Sequence, residues 1–247
     1  MVARAFSRRT GRVVSRDCPR GRGRRARVRA RGAVRYGGPV MQAHHTLVTG
    51  DSGGGKSTLL REMQFNFNGL SVWVNHDGAD GLTGRGGRNA TTVHSAAALR
   101  SASSPRINYR VSKDSLTDAL AAARETAIQY REDTGYPAQV ILDECQTEAD
   151  EKLEPSHPLK RMLHEDRDKG VKTVLSTQDP SDLQKNYSMI KQCKLFAWVG
   201  EWSVFHDGFI RYFNIPRDEL PTEPYRYVVF DKRMRVQYRG ETSEEYS

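Results

Sequence analysis

The chain has 247 residues and a formal net charge of +9, a length that suits one α/β domain. No apolar run approaches the roughly 20 residues of a membrane span. The three cysteines, Cys18, Cys145 and Cys193, lack the even count and C-x-x-C spacing of a disulfide scaffold or zinc site, which suits a reducing cytoplasm. The charge is uneven: residues 1–40 hold thirteen arginines against the single acid Asp17, whereas residues 41–247 carry 26 basic and 29 acidic side chains, a net of −3.

The Arg-rich segment 1–40 has too few regularly spaced apolar residues to fold alone. Three readings fit it. It is a disordered basic arm for nucleic-acid phosphates, or a cleaved organellar presequence. Alternatively it lies upstream of a true start at Met41, since its Arg/Gly/Ala/Val make-up is what GC-rich non-coding sequence yields when translated. Residues 41–247 are then the folded domain.

Along that body, His45 to Thr49 reads as a short strand and Thr58 to Met63 as a helix. Ser71 to Asn75 is a second, β-branched strand. Residues 76–95 read as a glycine-rich loop, and Arg106 to Val111 as a third strand. Ser115 and Asp118 form a Ser-x-x-Asp cap for a helix whose apolar face is Leu116, Leu120, Ala123 and Ala127. That helix ends before Gly135. Gln139 to Asp143 is a nearly continuous apolar run, as in a sheet covered on both faces. His157 to Lys169 reads as a helix closed by Gly170, and Val171 to Ser176 as a strand. Ser181 to Met189 is helical in pattern, Leu195 to Val199 is a strand, and a helix crosses 201–213. Tyr225 to Phe230 and Arg235 to Arg239 form a terminal hairpin. Strands alternating with helices imply a mostly parallel sheet with helices on both faces and a C-terminal β-hairpin.

Between the first strand and helix lies Gly50-Asp51-Ser52-Gly53-Gly54-Gly55-Lys56-Ser57, which fits the phosphate-binding pattern G-x-x-x-x-G-K-S/T. Strand, glycine loop and helix is the context this pattern needs. The glycines let successive amides point at β- and γ-phosphates, and the helix N-terminus adds partial positive charge there. Lys56 neutralises the terminal phosphates, the Ser57 hydroxyl ligates Mg2+, and Thr58 completes the loop's contacts with ATP. The strand Val140-Ile141-Leu142 ends in Asp143-Glu144. An acid at this place holds magnesium, which assigns Asp143 to the metal and Glu144 to general-base activation of water. Ser176-Thr177-Gln178 ends the following strand, and Gln178 leads as the residue that senses the γ-phosphate or orients water.

These motifs, followed by Arg167-Asp168-Lys169-Gly170 and a strand ending Thr177-Gln178-Asp179-Pro180, resemble the FtsK/HerA superfamily of pumping ATPases over most of residues 45–200. The small size is most similar to the genome-packaging ATPases of membrane-containing viruses. The resemblance implies a P-loop NTPase of RecA/ASCE-like fold. It also implies a ring, usually a homo-hexamer, that hydrolyses ATP at subunit interfaces and moves double-stranded DNA without sequence specificity. Family members complete each site with a neighbour's arginine; Arg167 matches that position and Arg161 is second. Capsid or membrane-vertex proteins would be further partners, in the cytoplasm of a prokaryotic host cell or in the virion. The loop Asp80 to Arg88 could line a pore, its arginines touching phosphates, or could equally be a flexible surface loop.

Two other functions remain open at this point. One is an assembly or secretion ATPase of the same superfamily that moves protein. The other is a small-molecule phosphotransferase, against which a water-activating Glu144 argues.

Overall fold

The computed structural model describes residues 44–76, 90–112, 115–149, 151–203 and 206–242. All lie in one compact unit. The described residues build a nine-stranded sheet in the order β3-β4-β2-β5-β6-β1-β7-β8-β9. The strands are β1 (Thr46–Thr49), β2 (Leu70–Asn75), β3 (Thr91–Val93), β4 (Arg106–Arg110), β5 (Ala138–Leu142), β6 (Val171–Thr177), β7 (Leu195–Val199), β8 (Arg226–Asp231) and β9 (Val236–Glu241). The pairs from β3 through β7 are parallel, and β8 and β9 add antiparallel. This is the expected mostly parallel sheet with a C-terminal hairpin.

Alternation along the central strands sends side chains to opposite faces. Val48, Trp73, Ile141 and Val174 join Leu59, Leu60 and Met63 of helix α1 (Lys56–Phe65) in one core. Leu47, Val72, Val74, Val140, Leu142 and Leu175 pack on the other face. There they meet Leu120, Ala123 and Ala127 of α3 (Leu116–Thr134), which follows the short α2 (Ala96–Ser101). Two apolar layers leave no wet face, which is why these strands read as continuous apolar runs.

A parallel sheet also collects every strand's C-terminal end at one edge. That edge carries the loop after β1, Asp143 after β5, Gln178 after β6 and Gly200 after β7. β6 lies between β1 and β5, so the Gly-rich loop and the Asp-Glu pair are two strands apart and face each other across Gln178.

Several local expectations are corrected. The loop expected over 76–95 contains β3, whose Thr91-Thr92-Val93 run pairs with β4 at the sheet edge. The Ser115–Asp118 cap does not form, because the Ser115 hydroxyl turns back to the Ser112 carbonyl at 3.0 Å. The helix expected over 157–169 is α5 (Pro158–Glu165), following the short α4 (Gln146–Ala149). It stops because Asp166 is drawn into a buried pair with Arg124 of α3 (Nη2 to Oδ1 2.6 Å, Nε to Oδ2 2.7 Å). The Asp166 carbonyl instead accepts from Lys169 and Val171. The segment 181–189 is a 3-10 turn (Pro180–Asn186) running into α6 (Tyr187–Ile190). Asn186 breaks the helical pattern by donating its side-chain amide to the Ala149 and Glu151 carbonyls. The helix expected across 201–213 is α7 (Asp207–Phe213) alone.

Candidate active site

The loop between β1 and α1 is built from backbone that side chains would block. Gly50 has φ +152°, and a Cβ there would stand 2.0 Å from the Val199 carbonyl oxygen. Gly55 sits at φ +100° immediately before Lys56, the first residue of α1. The N-terminal amides of α1 thus open onto the loop, as anion binding requires. β7 and β8 brace it from outside, with the Tyr225 amide donating to the Gly54 carbonyl at 2.8 Å.

Lys56, Asp143, Glu144 and Gln178 line one cleft of about 510 Å3, together with Ser52, Gly53, Gly55, Ser57 and Thr58 of the loop. Lys56 is buried, and its Nζ lies 3.5 Å from Glu144 Oε1. Glu144 Oε1 also accepts from the Gln178 amide at 2.8 Å, and Oε2 from the Gln146 amide at 2.7 Å. The backbone of Glu144 is left-handed, with φ 51°, which costs a non-glycine residue about 1–3 kcal/mol and marks functional positions. Burial pushes the Glu144 carboxyl up, but the Gln146 amide, the Lys56 charge and the Gln178 amide outweigh it, so the group sits below its ordinary value. It is therefore ionised at neutral pH.

Asp143, one residue earlier, is more deeply buried. Burial raises its carboxyl, opposed first by the Ser176 hydroxyl that donates to Oδ1. The Glu144 backbone amide also donates to Oδ1, at 3.2 Å. Two adjacent carboxylates thus have opposite environments. The Ser57 hydroxyl and the Asp143 carboxylate share the cleft, and their hard oxygens suit Mg2+. The cleft's donors and its size fit a magnesium–nucleoside triphosphate.

Asp51 turns outward rather than into the cleft. Its Oδ1 lies 3.6 Å from His206 Nε2. The His206 ring is buried, edge-on to Trp198, and its Nδ1 accepts from the Ser203 amide at 3.0 Å. That places the proton of the neutral ring on Nε2, which faces the Gln178 carbonyl at 3.3 Å. His206 therefore bridges the Gly-rich loop and the end of β6.

Arg167 does not join this cluster. It precedes β6, whereas Gln178 follows it, and seven extended residues separate strand ends by about 20 Å. It is partly exposed and pairs with its neighbour Asp168 at 3.3 Å. Arg161 pairs with Glu165, one helical turn on, at 3.3 Å. The loop Asp80 to Arg88 lies outside the described residues.

Sequence reasoning missed Ser176, Gln146, His206 and Tyr225. Ser176 stood in the quoted Ser-Thr-Gln run, and strand alternation puts it on the face opposite Leu175, where Asp143 lies. Gln146 opens the short α4 just past the turn after β5, and Tyr225 arrives through the antiparallel return of β8. No local pattern announces either.

No protein-family model and no curated protein matches the chain. Solved structures do. The genome-packaging NTPase B204 from Sulfolobus turreted icosahedral virus 2, in complex with AMP, superposes with a TM-score of 0.61 at 16% identity, covering 82% of this chain and 98% of that one. B204, the DNA-packaging ATPase from Sulfolobus turreted icosahedral virus, gives 0.62 at 15% identity over 79% and 96%. The cytoplasmic domain of the type VII secretion ATPase EccC from Thermomonospora curvata gives 0.50 at 15% identity, covering 81% of this chain and 24% of that one. The chain therefore has the P-loop ATPase fold of these packaging and secretion proteins, in line with the FtsK/HerA resemblance carried by its phosphate loop and Thr-Gln-Asp-Pro segment.

Proposed function

We propose that this protein is an ATP-hydrolysing motor that translocates double-stranded DNA, in the concrete form of a genome-packaging ATPase. The observation that carries the ATPase reading is the convergence of Lys56, Glu144 and Gln178 on one cleft, with Glu144 Oε1 within 3.5 Å of the lysine and 2.8 Å of the glutamine amide. DNA as substrate is supported by the likeness to the two B204 structures, which span 79–82% of this chain and 96–98% of their own.

In this reading the loop amides and Lys56 hold the β- and γ-phosphates, and Ser57 and Asp143 hold Mg2+. Bound magnesium supplies charge neutralisation on the phosphate oxygens. Phosphate entering beside Lys56 competes for its ammonium and releases one of three groups on Glu144. The carboxylate then takes a proton from the attacking water, which Gln178 orients. Asp143, whose Oδ1 accepts from the Ser176 hydroxyl and the Glu144 amide, serves the metal in this reading. Arg167, the resemblance's candidate for the arginine given to a neighbour's site, lies at the far end of β6 from its own cleft, so in this reading it would act across an interface between subunits of a ring.

The test is ATP hydrolysis by the full chain with and without double-stranded DNA, with Glu144→Gln as control. The expected result is hydrolysis that rises several-fold with DNA of any sequence. Hydrolysis indifferent to DNA would turn the reading toward an ATPase that moves protein.

A further inference from the structure

Tyr225 is an anomaly at the edge of the cleft. It is a large aromatic that is 46% exposed, and its backbone is held at φ +62°, a conformation that favours glycine. The strain is sustained from both sides. Its amide donates to the Gly54 carbonyl at 2.8 Å, and its carbonyl accepts from the Thr242 amide at 2.8 Å. The ring lies over Gly55, where a Cβ would come within 2.8 Å of its Cδ1. The fold therefore spends a strained residue and a missing side chain to lay one exposed ring against the phosphate loop.

The sheet order says which end of a ligand meets that ring. Glu144 and Gln178 follow β5 and β6, on one side of β1, whereas Tyr225 enters β8, beyond β7 on the other side. The same cleft reaches both. A triphosphate whose terminal phosphate faces Glu144 must run its nucleoside toward β8. Resting on the nucleotide reading of this cleft, we infer that Tyr225 is the platform on which the nucleobase stacks. Base–aromatic stacking needs only a free ring face, which a half-exposed tyrosine offers.

The experiment compares Mg2+-ATP with Mg2+-tripolyphosphate, which has the phosphates and no base, by calorimetry on the full-length wild type, Tyr225→Ala and Tyr225→Phe. Tyr225→Ala is expected to lose about tenfold or more in ATP affinity, with tripolyphosphate affinity unchanged. Tyr225→Phe is expected to bind both as the wild type does. Unchanged ATP affinity in Tyr225→Ala overturns the inference. So does an equal loss for both ligands, which would make the ring a brace for the loop, or a loss in Tyr225→Phe matching that in Tyr225→Ala, which would assign the contact to the hydroxyl. A wild type that binds neither ligand overturns the nucleotide reading itself, and this inference with it.

Discussion

Glu144 is the residue on which the site turns. Its left-handed backbone aims the carboxylate back at Lys56 instead of along β5, and two amides and one ammonium then surround it. An anion so held is a competent base only if the proton it takes comes from the reacting water. Glu144→Gln keeps the shape and removes the base, so it should bind ATP as the wild type does. Turnover should fall by about 10²–10⁴-fold, the usual contribution of a general base. Single-turnover hydrolysis beside calorimetric affinity reads both quantities, and a normal rate would remove Glu144 from the chemistry. This residue is legible in the sequence, because Asp-Glu after an apolar strand is a short-range pattern. Its partner Gln146 is not, because it becomes a partner only through the turn that begins at Glu144.

At the scale of elements, β1 and β6 are joined by more than their ladder. The buried His45 Nδ1 accepts from the Thr173 amide at 2.9 Å. Burial, with the charges of Arg167 and Lys172 adding to it, lowers the ring from 6.5 to about 4. The fold therefore holds the neutral ring, and the unfolded chain takes up the proton first. Stability should be full above pH 6.5 and decline as the pH falls toward 4, by about 3 kcal/mol at most from this group. His45→Asn keeps an acceptor for Thr173 without a titrating ring, so denaturation midpoints between pH 6.5 and 4 should flatten. An acid limb unchanged in the variant would assign the loss to other groups. The central strands were readable because burial on both faces makes them uniformly apolar. The short helices were not. Asn186 and Asp166 each divert to a partner at least 35 residues away in the chain, and such long-range bonds leave no mark in a local window.

At the scale of the whole molecule the charge is divided. Residues 41–247 sum to −3, and the thirteen arginines of residues 1–40 supply the excess. Nothing in a body of that balance promises strong general attraction to phosphates. If the arginines bind DNA, deleting residues 1–40 should flatten the dependence of log affinity on log salt by several units, at about 0.9 for each phosphate they neutralise. An unchanged slope would place DNA binding within residues 41–247. Fold class could be read from the alternation of strand and helix; partners could not, because they depend on surfaces that no motif encodes. The sheet also offers the proposed motor a means of timing. β6 leads into Gln178, which meets Glu144, and a short turn before its start carries Arg167, tethered through Asp166 to α3. Seven residues long and paired on both sides with β1 and β5, β6 is the direct path between these two ends. If the proposed motor is a ring that uses Arg167 across its interfaces, a displacement of Gln178 on hydrolysis would reach the next subunit's site along β6, like cylinders timed by a common shaft.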